Sequence, residues 1–322
     1  MKIAFVGKGG SGKTTLASLL IRYLAAQDLP VVAIDADINQ HLAGALGASD
    51  GPPALGACLP QIKDYLRGDN PLIASAEAMV KTTPPGRGSR LLRVNGDDPV
   101  HALAVKTNCG AMLMATGPFT DDDIGVACYH SKTGAVELYL NHLIDGPGEY
   151  AVVDCTAGAE SFASGLFTRF DLTFLVAEPT RKSVQVFRQW TDYASSYDVP
   201  IAVIGNKVES DHDLDFLREH AGRQLLAHFG HLPVIRGMEQ GRPFGLDELG
   251  ADSLSALAVL RAAVDSRPKD WATFTRQAAE FHLKNARAWA NAATGLDLAQ
   301  QIDPDVVIGP GGLAPRPVEN AR

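Results

Sequence analysis

One nine-residue stretch constrains this chain more than any other. Gly7 to Thr15 reads GKGGSGKTT, directly after the apolar run KIAFVG and before a helical pattern from Lys13 to about Ala26. Gly7 to Thr14 fits G-x-x-x-x-G-K-[ST] in the strand-before, helix-after setting that gives the pattern its meaning. Glycines let successive backbone N–H groups turn inward around phosphate oxygens. The helix that follows adds the positive end of its dipole. Lys13 is then placed for the β- and γ-phosphates and Thr14 for Mg²⁺. Gly9, Gly10, Ser11, Gly12, Lys13, Thr14 and Thr15 are the candidate phosphate-binding residues. Lys8 is a second lysine that this cradle does not need.

Such a loop belongs at the carboxyl end of a buried strand, and the chain supplies more of them. PVVAID, AMLMAT (111–116), YAVVD (150–154), LTFLVAE (172–178) and IAVIGN (201–206) are short apolar runs. Helical patterns lie between most of them, including 133–142, 181–196 and 211–220. That alternation predicts an α/β fold with a mostly parallel sheet and helices on both faces. Ligands of such sheets bind at the carboxyl ends of the strands. Three further sites fall there. AIDAD ends in Asp35 and Asp37, YAVVD ends in Asp154, and IAVIGN is followed by Lys207. Asp35 and Asp154 are candidates for the Mg²⁺ site, and Asp37 for orienting an attacking water. Asp37 could instead cap a helix beginning near Gln40.

Two regions break the rhythm. Residues 48–110 are long for one connection and read as an insertion, a lid or a partner surface. Residues 1–267 then form the nucleotide-binding domain, and 268–302 a C-terminal helix packed on that domain or on a partner. Trp271, Phe274, Ala278, Phe281 and Trp289 fall near one face of it. From Asp303 the Pro- and Gly-rich tail is expected to be disordered. Net charge is −8, which argues against a surface for nucleic acid or anionic lipid. No apolar run reaches the ~18 residues of a membrane span. Four scattered cysteines without disulfide spacing read as reduced thiols, and the expected location is the cytoplasm.

The string KGGxGKT resembles the deviant Walker A loop of the MinD/ParA/nitrogenase-iron-protein superfamily, a branch of the P-loop NTPases. The resemblance implies an ATP-dependent homodimer with nucleotide sandwiched between subunits. Lys8 would cross to the partner's phosphates like an arginine finger. It also implies that Asp37 sits in switch I, that Gly158 offers its N–H to the γ-phosphate as switch II, and that Asn206 and Lys207 bind the base. Glu209 makes the string N-K-x-E, close to the guanine-reading N-K-x-D, but one methylene too long; ATP is favoured. LPVIRGMEQGRP (232–243) resembles the segment that closes the other side of the base.

Within the superfamily, DCTAGAESFASG (154–165), VAEPTRKSV, GNKV and DADINQHLAGALG are similar to CooC, the ATPases that assist nickel insertion into carbon monoxide dehydrogenase. CooC proteins carry C-x-C shortly before Walker B. Here the corresponding residues are Cys128 and His130. A twofold axis would join two Cys and two His, a set suited to Zn²⁺ and conceivable for nickel. The iron-protein cluster ligand after Walker B is replaced by Ala157. The implied function is an ATP-hydrolysing dimeric switch that assists metal delivery to a client enzyme. The alternatives are a ParA/MinD-like positioning ATPase and a metal-free switch with a protein effector.

Overall fold

The computed structural model describes residues 1–119, 121, 129–242 and 244–315, without the side chains of 129–131 and 160. Its centre is an eight-stranded sheet. The chain enters at β1 (Lys2–Gly7), passes through helix α1 (Lys13–Ala25) and returns as β2 (Val31–Ala36), followed by a short α2 (Leu42–Leu46). Helix α3 (Leu59–Arg67) and strands β3 (Leu92–Arg93) and β4 (Val105–Lys106) lead to β5 (Met112–Ala115). Next come α4 (Tyr129–His142), β6 (Leu143–Ile144), β7 (Tyr150–Cys155), β8 (Leu172–Ala177), α5 (Arg181–Ala194) and β9 (Ile201–Gly205). Then α6 (Asp211–Ala221), β10 (Leu225–His228), α7 (Pro233–Glu239) and α8 (Ala251–Asp265) complete the sheet and its cover. Helix α9 (Trp271–Asn285), α10 (Asn291–Thr294), β11 (Val306–Gly309) and β12 (Gly312–Pro315) close the chain.

The order across the sheet is β10-β9-β8-β1-β7-β2-β5-β4, parallel throughout except for the two-residue edge strand β4. β1, β2, β7 and β8 are buried along their whole length, because helices cover both faces. Their side chains alternate between two cores. Ile3 and Phe5 join Leu16, Leu20 and Leu24 of α1 and Leu257 and Leu260 of α8. Ala4 and Val6 join Val136, Leu140, Phe187 and Trp190 of α4 and α5 on the other face.

Residues 48–110 are seated in the core along much of their length. Leu55, Ile62, Leu66, Ile73, Met79, Leu92 and Val94 are buried in the same core as α4. Leu55 N–H donates to Ala115 O (2.9 Å), and β3 pairs with β6. An apolar residue every few positions is what seats this long connection against the sheet.

The C-terminal helix packs on its own chain. Gln277 Nε2 donates to Tyr197 O (2.7 Å), Arg169 NH1 donates to Phe274 O (3.1 Å), and Thr82 Oγ1 meets His282 Nδ1 (3.1 Å). Trp289 leaves the expected face and is 45% exposed. A π-helical turn over Ala286–Ala290 shifts the phase of the helix and buries Ala286 and Ala290 instead. The tail also departs from expectation. β11 and β12 form an antiparallel hairpin over 306–315, with Pro310 and Gly311 at its turn. Val306 and Ile308 are buried, and Ile308 packs on Trp271, Phe274 and Ile144. The Pro and Gly read as a disorder signal are turn chemistry between two short strands. Residues 316–322 lie outside the described residues.

Candidate functional site

A cleft of about 1240 Å³ opens at the carboxyl ends of the parallel strands. Gly9, Gly10, Gly12, Lys13, Thr14 and Thr15 form one wall, and Leu232, Pro233, Ile235, Arg236, Met238 and Glu239 of the α7 region face them. Asp37, Asn39, His41, Asn206 and Lys207 line the remainder. The loop's turns demand glycine. A Cβ on Gly7 (φ 147°) would lie 2.5 Å from Val176 O of the neighbouring strand. Gly12 (φ 95°) caps α1, and a Cβ there would collide with Asn206 Nδ2. The close approach of the Asn206 side chain is part of the same design: its Nδ2 donates to Ser11 O (2.7 Å). Ser11 N–H donates to Lys8 O (3.1 Å), so Ser11 shapes the loop and does not line the cleft.

Asp154 and Asp35 are adjacent in register on β7 and β2. Asp154 is fully buried. Its Oδ2 accepts from Thr14 Oγ1 (2.5 Å), and its Oδ1 has no partner among the described residues. Burial pushes its carboxyl up to about 8, with Asp35 and Asp37 adding to the rise and Thr14 and Lys13 opposing it. An orphaned buried carboxylate oxygen beside a threonine hydroxyl is an oxygen donor set suited to a hard divalent cation. Asp35 is committed differently. Its Oδ1 accepts from Asp37 N–H (3.1 Å) and its Oδ2 from Leu42 N–H (2.8 Å), which holds the loop carrying Asp37. Burial raises its carboxyl to about 6, the two N–H bonds opposing. Asp37 does not cap a helix. α2 begins at Leu42 with His41 as its cap residue, and Asp37 Oδ1 accepts from Asn39 N–H (3.0 Å) instead.

Gly158 (φ 79°) does not line the cleft; its N–H donates to Gly7 O (2.9 Å) and its carbonyl accepts from Trp190 Nε1 (2.9 Å). Lys8 also stays out of the cleft lining. Its Nζ donates to Gly9 O (3.0 Å) and meets Glu178 Oε2 at 3.4 Å. Lys207 Nζ donates to Gly10 O (2.8 Å) and to Glu178 Oε1 (2.7 Å). Glu209 is absent from the lining, and its N–H is donated to Asp213 Oδ2 (3.0 Å). Cys155 is buried, and burial pushes its thiol up to about 12, with Asp154 adding to the effect. Such a thiol is a poor metal ligand. Cys128 lies outside the described residues. His130 is in the first turn of α4, and its side chain is likewise not described. Sequence reasoning missed Glu178 and the cleft residues His41 and Asn39. Glu178 carried the same signal that marked Asp154, an acid at the end of a buried strand.

The fold and cleft define a P-loop nucleotide-binding protein. Residues 3–240 match the CobQ/CobB/MinD/ParA nucleotide binding domain, and the chain belongs to this family of ATP-binding P-loop ATPases. It is 31% identical over 249 residues to the carbon monoxide dehydrogenase accessory protein CooC of Rhodospirillum rubrum, covering 76% of this chain and 88% of that one. It is 30% identical over 267 residues to an uncharacterized ATP-binding protein of Methanocaldococcus jannaschii, covering 80% and 96%. In fold it is similar to the septum site-determining protein MinD from Pyrococcus horikoshii, solved with Mg-ADP (TM-score 0.57, 18% identity, 82% and 96% covered). Among the described residues no helix is long and apolar enough to cross a membrane.

Proposed function

We propose that this ATPase is a Mg²⁺-dependent dimeric switch whose nucleotide state governs metal delivery to, or maturation of, a client enzyme. The observation that carries the switch is the separation of the two loop lysines. Lys13 lines the cleft, whereas Lys8 lies outside it with its ammonium on Glu178. A lysine at the loop that does not serve its own cleft is available to a second subunit.

The roles follow from position. Lys13 and the N–H groups of the loop hold the β- and γ-phosphates. Thr14 and Asp154 would hold Mg²⁺, with Asp35 behind them. When bound there, Mg²⁺ supplies fixed positive charge against the phosphate oxygens. Asp37, at the cleft wall, orients the attacking water. Lys8 of one subunit neutralises charge developing on the partner's γ-phosphate. Gly158 would reach the γ-phosphate only if its N–H leaves Gly7 O, so switch II sensing requires that bond to break on closure. Asn206 commits its Nδ2 to Ser11, leaving Oδ1 as an acceptor for the adenine amino group, a match that guanine's carbonyl lacks. Lys207 packs against the base.

The identity to CooC supports the metal-delivery reading, with Cys128 and His130 of two subunits as the shared Zn²⁺ or Ni²⁺ ligands. Its test is metal content on tag-free protein, with and without added zinc or nickel and ATP, beside a Cys128→Ser/His130→Ala variant. About one metal per dimer, lost in the variant, is the expected result. No metal in either protein would leave a nucleotide switch acting on a protein effector, or a ParA/MinD-like role, and would overturn metal delivery.

A further inference from the structure

Glu178 stands one residue beyond β8, and its surroundings fix its backbone. Its N–H donates to Ser183 Oγ (3.0 Å), and its carbonyl accepts from Thr180 N–H (2.7 Å) at the cap of α5. From this fixed point the carboxylate reaches two lysines from distant parts of the chain. Lys207 is held closely, at 2.7 Å, and Lys8 loosely, at 3.4 Å. Lys207 sits at φ 58°, in the left-handed region that non-glycine residues avoid, with its Nζ also on Gly10 O. Strain of that kind persists where the surroundings over-determine a position. Burial pushes the Glu178 carboxyl up, but Lys207 and Lys8 outweigh it and hold it below the usual range.

One carboxylate paired with two ammonium groups has a useful property. If Lys8 departs, Lys207 still neutralises Glu178, so no charge is left uncompensated in a partly buried place. The Lys8 contact is long and one-third exposed, which makes it weak and releasable.

Resting on the reading of Lys8 as a lysine that acts in trans, we propose that Glu178 is a positioning residue. It holds Lys8 against its own loop in the separate subunit and releases it to the partner's nucleotide on closure, with Lys207 as the permanent counter-ion. The hold then opposes dimerisation and sets the protein concentration at which the switch closes.

The test is the dimerisation midpoint, read by sedimentation with Mg²⁺ and a non-hydrolysable ATP analogue. Glu178→Gln, which keeps the shape and loses the charge, is expected to lower the midpoint about two- to tenfold. Glu178→Asp is too short to bridge both lysines and should shift it in the same direction by less. In a Lys8→Ala background neither substitution should shift it. An unchanged or raised midpoint in Glu178→Gln, or the same shift without Lys8, would overturn the hold alone. Lys8→Ala that dimerises and hydrolyses ATP like the wild type would instead overturn the trans-acting lysine beneath it.

Discussion

The two ends of the central sheet both bury charge, and they treat it in opposite ways. At the amino ends, Lys2 Nζ is fully buried and bonds Leu143 O (2.7 Å) and Asp145 (3.0 Å). Lys269 bridges Asp145 (2.8 Å) and Asp171 (2.6 Å), and Lys2 lies 4.2 Å from the Phe274 ring centroid. Burial pushes Asp145 up, but Lys2 and Lys269 outweigh it and hold the carboxyl far below the usual range. At the carboxyl ends, Asp154 is equally buried but keeps one oxygen bare and is raised to about 8. A carboxylate with lysines around it ties strands and the C-terminal helix together. A carboxylate with one oxygen bare is what the proposed Mg²⁺ site requires.

The comparison can be broken at either end. The largest effect is expected from Asp145→Ala, which strands the buried Lys2 ammonium and the Met1 amino group while Lys269 keeps Asp171, and should cost about 3–5 kcal/mol of stability by denaturant unfolding. The ATPase rate per folded molecule should stay unchanged. Asp154→Asn should do the reverse, lowering ATP hydrolysis on the order of a hundredfold while raising thermal stability in the absence of nucleotide. The sign follows from linkage. The folded-state value near 8 lies above the ordinary 3.8, so the associated stability is full below about 4 and is lost as pH rises through 8. The Asn variant should lack that fall. Glu137 predicts a smaller effect of the same sign. It is buried on α4, raised to about 7 by burial against the pull of Lys81 and Arg169. Glu137→Gln should flatten the loss of stability between about pH 4.5 and 7. Mg²⁺ with nucleotide should remove the Asp154 share of the pH dependence and leave the Glu137 share.

The carboxyl end was the more legible of the two. Gly7–Thr15, Asp35 and Asp154 announce themselves because a loop and two acids end buried apolar runs, and the strand order then brings the acids side by side. The Glu178 hold was invisible because it needs Lys8 and Lys207 to converge on one carboxylate from 170 and 29 residues away. At the amino end, Lys2, Asp145, Asp171 and Lys269 are scattered single charges, and only the packing of α9 gathers them. β10 and α8 went unnoticed for a local reason. β10 is three half-buried residues and an exposed His228, and α8 buries Ser253 and Ala256 beside its leucines, so its apolar stripe is thin. The C-terminal hairpin shows the opposite error, in which turn residues were read as disorder although Val306 and Ile308 alternate with period two.

The central claim is that a complete site takes Lys8 from one subunit and Asp154 from the other, and a mixing experiment tests it directly. Lys8→Ala and Asp154→Asn, each inactive alone, would be combined in equal amounts and assayed for ATP hydrolysis. The account predicts recovery of about a quarter of the wild-type rate, from one intact site in half of the dimers. A mixture as inactive as its components would place both residues in the same subunit's site and contradict it.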